Sequence, residues 1–333
     1  MSSIFHRTAL VCSICAATLL ASHAVQARDL TAVGFGGATQ EAFDKAYFKP
    51  YAAQSGKPVV QDTYDGGIAK QKAMVQAGNP TWDVVQMDEN EMALACEQGL
   101  LEPLDHSRLS NAADIPADKF APCGVGAIVW SEVMTYDNKK FASDGPKTWT
   151  DFWNVKKWPG KRGLRKQARM TLEIALMADG VKPADVYTVL ATKAGQDRAF
   201  AKLDEIKPYI QWWETGAQPL EWLSSGSVAV TAAYNGRIAI ANQQGGHFPL
   251  IWNQQLYSMD YWTIIKGTPN LADSYALLDY MVSPKAQAAL DKQTLSNLPT
   301  APANLENALL LDTPFWVNYE EDLMARFTNW AAK

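Results

Sequence analysis

The chain has 333 residues, 30 lysines and arginines against 35 aspartates and glutamates, and a formal charge of −5 at pH 7. Such mild acidity, with no basic block, excludes nucleic acid as a natural partner. The length suffices for one large domain or for two lobes with cores of their own.

His6 and Arg7 precede an apolar stretch from Ala9 to Ser22, and Val25-Gln26-Ala27 resembles a small-residue cleavage site. This is the layout of a secretory signal peptide over residues 1–27, cleaved near Ala27, and the run is short for a membrane span. A retained N-terminal anchor helix is the competing reading. Export leaves two cysteines, Cys96 and Cys123, an even number in an oxidising compartment. A disulfide between them closes a loop of about 27 residues and contributes about 3 kcal/mol; two buried thiols are the alternative. Neither has a CxxC or Cys/His neighbourhood, so no metal or redox cofactor is called for.

Beyond the leader, short apolar strands alternate with amphipathic helices. Leu30–Gly34 reads as a strand entering the turn Gly36-Gly37. A helix follows from about Gln40, with Phe43, Ala46, Tyr47 and Tyr51 on one face and Gly56 as its stop. Pro58–Tyr64 is a second strand, residues 66–77 a second helix, and Asp83–Met87 a third strand. Strand–helix–strand–helix–strand predicts a parallel sheet with right-handed crossovers, and ligands bind beyond the carboxyl ends of such strands. Those ends carry Phe35, Asp65 and Asp88. Residues 144–163, rich in Trp, Lys, Pro and Gly, read as a surface excursion that keeps Trp149, Trp153 and Trp158 off any ligand. Helices follow near 171–179, 183–192 and 196–206. Val228–Ala233 is a buried strand ending in the turn Tyr234-Asn235-Gly236. Leu256–Ile265 is another, its alternation placing Ser258, Asp260 and Trp262 on one side. Asn270 and Ser283-Pro284 open two more helices.

At this point the chain resembles the periplasmic solute-binding proteins of the spermidine/putrescine type, which deliver ligand to ABC importers. The marks are Gly34-Phe35-Gly36-Gly37, Trp82-Asp83-Val84-Val85, residues 97–105, Cys123-Gly124-Val125-Gly126, residues 171–176 and 212–218, Tyr234-Asn235-Gly236-Arg237, and Leu298–Asn304. The resemblance implies an α/β, two-lobed periplasmic binding protein type II fold with a ligand cleft between the lobes. Lobe 1 would span 28–135 plus 260–298, and lobe 2 would span 136–259 plus 299–333. It also implies a periplasmic monomer that closes by a hinge, captures a polyamine such as putrescine or spermidine, and docks on an ABC permease.

Such a pocket stacks aromatic rings on the cation for roughly 0.5–2 kcal/mol, and pins each ammonium with carboxylates for about 1.5–3 kcal/mol. Carried over residue by residue, Phe35 and Tyr234 become the aromatic walls, and Glu173 and Asp260 the family acids. Asp65, Asp88, Glu214, Trp252 and Trp262 are further candidates. Ser258 stands where such binders tend to carry Trp, Met170 where a second carboxylate would be expected, and Asn297-Leu298 lacks the usual Tyr. Structural readings compete: an ion pair for Glu173, packing for the tryptophans, and surface charge for Arg165, Arg169 and Arg237. Were those arginines in the cleft, a carboxylate or phosphonate ligand would fit, and a sugar is a further alternative.

Catalytic signals are missing. Only His106 and His247 remain after the leader, and there is no GxSxG, HExxH or Cys–His constellation. The pair Glu320-Glu321 reads as a solvated terminus, although an exported hydrolase with two cleft carboxylates is the enzyme alternative.

Overall fold

A computed structural model describes residues 28–112, 119–294 and 305–333; residues 1–27, read above as a signal peptide, and the Leu298–Asn304 motif lie outside them. The first alternation is as expected: β1 (Leu30–Gly34), α1 (Gly37–Phe43), α2 (Lys49–Ser55), β2 (Val59–Thr63), α3 (Ala69–Gln76), β3 (Val84–Asp88) and α4 (Glu89–Glu97). One π-helical turn, Asp44–Phe48, joins α1 to α2. Gly56 stops α2 at φ 70°, a left-handed conformation that glycine reaches without steric cost. Strand β1 pairs in parallel with both β2 and β3.

Then come β4 (Phe120–Ala121), β5 (Gly124–Tyr136), α5 (Asn138–Phe141), α6 (Trp149–Trp153), β6 (Arg162–Arg165) and α7 (Thr171–Ala178). The second alternation continues with α8 (Val186–Leu190), α9 (Lys193–Ile206), β7 (Ile210–Trp213), α10 (Gln218–Ser224), β8 (Val230–Tyr234) and α11 (Asn235–Gln243). The chain then returns through β9 (Ile251–Ile264), α12 (Leu271–Met281), α13 (Pro284–Thr294), β10 (Leu309–Leu310) and α14 (Thr313–Ala331). Among the described residues the strands order as β2-β1-β3-β9-β5-β8-β6-β7, with β10 beside β9 and β4 beside β5. Two parallel halves, β2-β1-β3 and β8-β6-β7, are thus joined by the long antiparallel pair β9 and β5.

Several expectations are corrected. Residues 144–163 form an ordered arch. Thr148 and Asp151 cap α6 reciprocally, a satisfied capping box. The buried Arg162 guanidinium donates to the carbonyls of Phe152 (2.7 Å), Trp158 (2.6 Å) and Gly160 (2.8 Å). Backbone acceptors replace the counter-ion that a buried arginine would otherwise need. The Tyr234-Asn235-Gly236 turn is instead the start of α11, and β9 begins at Ile251, five residues before the alternation becomes visible.

Helix α14 was not foreseen. The Asp312 side chain accepts the Phe315 N–H at 2.8 Å and starts it, and Phe315, Trp316, Leu323 and Phe327 face inward. On it, Glu320 accepts a 2.9 Å hydrogen bond from Asn90 of α4, so this acid is tied to the fold and is not a solvated end.

Cys96 and Cys123 are disulfide-bonded, fastening the end of α4 to the turn before β5. Replacing both by serine removes a constraint of separation 27 on the unfolded chain. The double variant should lose about 3 kcal/mol in denaturant unfolding, and reducing agent should lower the wild-type midpoint without moving that of the variant.

Candidate ligand-binding cleft

Ends of β1, β3, β6 and β8 and the middle of β5 and β9 converge on one cleft. The sheet topology accounts for the place, because carboxyl ends of parallel strands from both halves point into it. Phe35 and Tyr64 form one wall, their rings stacked at 5.0 Å. Tyr234 stands opposite, held edge-on by Trp130 (5.4 Å) and Trp213 (5.7 Å).

The floor from β3, α4 and β9 is acidic. Asp260 lies opposite Asp88 across β9 and β3. It accepts hydrogen bonds of 2.6 Å from both Gln86 and the Trp130 indole. Burial, with Asp88 adding to it, pushes the Asp260 carboxyl well above the usual range. Glu91 accepts the Gly67 N–H at 2.8 Å, and burial followed by the charge of Asp88 pushes it up to about 7. Asp88 itself is taken: the buried Arg169 reaches it through two nitrogens, at 2.5 and 3.3 Å. At the rim Asp65 is exposed, and Glu214 pairs with Lys166 at 2.7 Å.

Facing that floor are two guanidiniums. Arg165 donates to the Tyr234 hydroxyl at 2.5 Å and lies 5.6 Å from the Trp213 ring centre. Arg237 donates to the carbonyls of Phe35 (3.3 Å) and Gly36 (3.2 Å). It threads between Gly37 and Gly216, where an added Cβ would stand 2.5 and 2.6 Å from guanidinium nitrogens. Burial lowers the Arg237 pKa. Among the described residues neither arginine has a carboxylate at ion-pair distance, in contrast to Arg28, Arg169, Arg198 and Arg326. Glu132 acts on Arg165 through its field but makes no ion pair with it; burial pushes this acid up to about 7.

Of the residues singled out in the sequence, Phe35, Asp65, Asp88, Glu214, Tyr234 and Asp260 line the cleft, and Glu173, Trp252 and Trp262 do not. Glu173 is fully buried, accepting from the Tyr187 hydroxyl (2.9 Å) and the Trp316 indole (2.8 Å). Trp262 is core, edge-on to Phe43 at 5.1 Å and Phe48 at 6.4 Å. Trp252 packs half-buried on the cluster around Val133 and Phe248.

Sequence reasoning missed Tyr64, Trp130 and Glu91, and assigned Arg165 and Arg237 to the surface. Ile128 and Trp130 alternate on β5, which is a period-two signal; the arginines carried no signal beyond sitting at strand ends.

The bacterial extracellular solute-binding protein model matches residues 46–321. The gamma-aminobutyric acid-binding protein of Pseudomonas aeruginosa is 47% identical, covering 92% of each chain. The putrescine/agmatine-binding protein of the same species is 26% identical over 72% of this chain and 71% of that one. A solved ABC transporter substrate-binding protein from Bradyrhizobium japonicum superposes with a TM-score of 0.81 at 35% identity, over 91% of this chain and 99% of that one. The fold is therefore the two-lobed α/β periplasmic binding protein fold, and the chain is a solute-binding protein of ABC transport, not an enzyme. The chain belongs to the bacterial extracellular solute-binding protein family.

Proposed function

We propose that the chain captures a short zwitterion of the 4-aminobutyrate class outside the cytoplasm and hands it to an ABC permease. The observation that carries this reading is the polarity of the cleft. Two guanidiniums without carboxylate partners, Arg165 and Arg237, face a floor of acids from the other half of the sheet. A carboxylate fits the arginines and an ammonium fits Asp260 and Glu91, while the methylenes between them lie against Phe35, Trp130 and Tyr234. The name of the relative at 47% identity points the same way. The polyamine reading fits less well, because the second ammonium of a diamine would meet an arginine. Each charge-assisted hydrogen bond at such ends contributes about 1.5–3 kcal/mol.

Glu173, Trp252 and Trp262 fall outside the proposed contact set, whereas Asp65 and Glu214 tune the rim. We take the lobes as 28–135 plus 260–298 and 136–259 plus 299–333, a reading supported by the way β9 and β5 bridge the two halves of the sheet. Ligand contacts from both sides favour the closed form by their differential affinity, and that form presents the surface the permease reads. Residues 1–27 direct export, and the protein acts as a monomer.

In a thermal-shift panel on refolded, ligand-free protein, 4-aminobutyrate at 100 times its dissociation constant should stabilise the fold by about 2.7 kcal/mol. Arg165→Gln and Arg237→Gln should each weaken 4-aminobutyrate by roughly ten- to a hundredfold. A shift with putrescine alone would return the assignment to polyamines. Affinity should also depend on pH. In the unliganded cleft Glu91 is pushed up to about 7, so below that pH it carries a proton which an arriving ammonium must displace. Binding should then weaken as pH falls from 8 to 5.5 and release protons, read by calorimetry in two buffers of different ionisation enthalpy. Affinity flat across that range would remove the acids from the contact set.

A further inference from the structure

We propose that Arg169, which does not line the cleft, is a specificity-determining positioning residue: by neutralising Asp88 it subtracts one carboxylate from the floor and matches the site to a zwitterion over a diamine. The inference rests on the zwitterion reading and adds the residue that enforces it. The floor receives three acids from neighbouring positions, Asp88 and Asp260 in facing register and Glu91 one turn into α4. Three carboxylates side by side would attract two positive charges. Of these three, Asp88 alone is ion-paired among the described residues, and its cation comes from the other half of the sheet.

The pairing is built, not incidental. Strands β3 and β6 stand four strand spacings apart in the sheet order, about 19 Å in a flat sheet. Arg169 lies four residues beyond the end of β6, so the connection from β6 to α7 has to run toward β3 for the ion pair to form. Both partners are buried, with side-chain exposures of 6% and 11%. The turn that presents Arg169 is fixed on either side: the Thr171 hydroxyl donates to the Arg165 carbonyl at 2.9 Å, and the Ala168 N–H to the Met324 sulfur at 3.2 Å. Met170, fully buried, takes φ 69°, a conformation side chains rarely adopt. The same turn aims Arg165 into the cleft and Arg169 at Asp88. One segment thus supplies positive charge to the anionic end of the ligand and removes negative charge from the other end.

Calorimetric dissociation constants for putrescine and 4-aminobutyrate test this on refolded protein, with thermal unfolding as the check of fold. Arg169→Gln releases Asp88 into the floor, and the affinity ratio should move at least tenfold toward putrescine, the worth of about one charge-assisted hydrogen bond. Arg169→Lys keeps the charge and should stay near the wild-type ratio. The double variant Arg169→Gln with Asp88→Asn removes both charges and should bring the ratio back. Equal loss of both ligands in Arg169→Gln, or a double variant that keeps the shifted ratio, would overturn the proposal. If Arg169→Gln does not fold, Asp88→Asn reads the pair from the other side. The unmasked arginine must then penalise putrescine at least tenfold more than 4-aminobutyrate, and equal penalties would again overturn it. Wild-type protein that prefers putrescine would instead sink the zwitterion reading, separately from any ratio change in the variants.

Discussion

Everything in this molecule hangs on the antiparallel pairing of β5 and β9. At 13 and 14 residues they are the longest strands described, about 45 Å each at the usual rise. That length lets each of them belong to both halves. Strand β9 borders β3 along one stretch, and β5 borders β8 along another. Their mutual register shifts between Gly126 and Ile128 and again between Glu132 and Met134. Beside the second shift, Gln254 takes φ 59° and turns its carbonyl to the Trp149 indole at 2.8 Å. Such irregularities bend and twist a ribbon locally, which is what a connection between two lobes requires. They also set the site: with the register as it is, Asp260 faces Asp88 on one neighbour and Ile128 on the other.

That register creates an electrostatic problem which the rest of the cleft resolves. Facing carboxylates in a shielded place cannot both remain ionised at ordinary cost. Asp88 is answered by Arg169, whereas Asp260 is answered, among the described residues, by the neutral donors Gln86 and Trp130. Burial would lower the Arg169 pKa, but the charge and hydrogen bond of Asp88 reverse the direction and hold it above its usual range. The Asp260 carboxyl has no such cation and moves upward. Among the described residues such a cleft leaves Asp260 and Glu91 without an ion-pair partner at the floor, and Arg165 and Arg237 without one opposite. Its donors and acceptors are already held by packing, so a ligand of matching charge meets a site that needs little reordering, and preorganisation of that kind favours tight binding.

The fold was largely legible. The strand–helix alternation from Leu30 to Met87, the glycine stop at Gly56, the helix at Thr171 and the starts at Asn270 and Pro284 all stand close to where periodicity and capping chemistry put them. The failures share a physical cause. Residues 144–163 look like a loop because their order comes from side-chain bonds to backbone carbonyls, those of Arg162 to three carbonyls within the segment and that of Trp153 to the distant Lys202 at 3.0 Å. No local pattern announces those. Trp262 shares a side with Asp260 in the alternation, but the cleft ends between them and the ring packs into Phe43 and Phe48. Glu173 matched a family acid by position, but its partners are Tyr187 on the next helix, α8, and Trp316 far along the chain on α14.

The ligand class was harder to read for a reason that applies to any charged site. A sequence gives an inventory of charges, whereas a ligand meets only those that remain after the protein has paired them internally. Counting acids at strand ends and on the returning strand β9 finds Asp65, Asp88, Glu214 and Asp260, and that count suggests a dication. In the folded chain Arg169 consumes Asp88 and Lys166 consumes Glu214. Arg165 and Arg237, which a surface reading would pair with acids, instead meet a phenol and two carbonyls and keep their charge for whatever enters. Removing two acids and restoring two bases converts the apparent dication site into a bipolar one, with no change in scaffold or in aromatic walls. Relatives of this fold can therefore differ in ligand charge through a handful of pairings between side chains far apart in sequence, while the strand-end motifs that mark the family stay legible throughout.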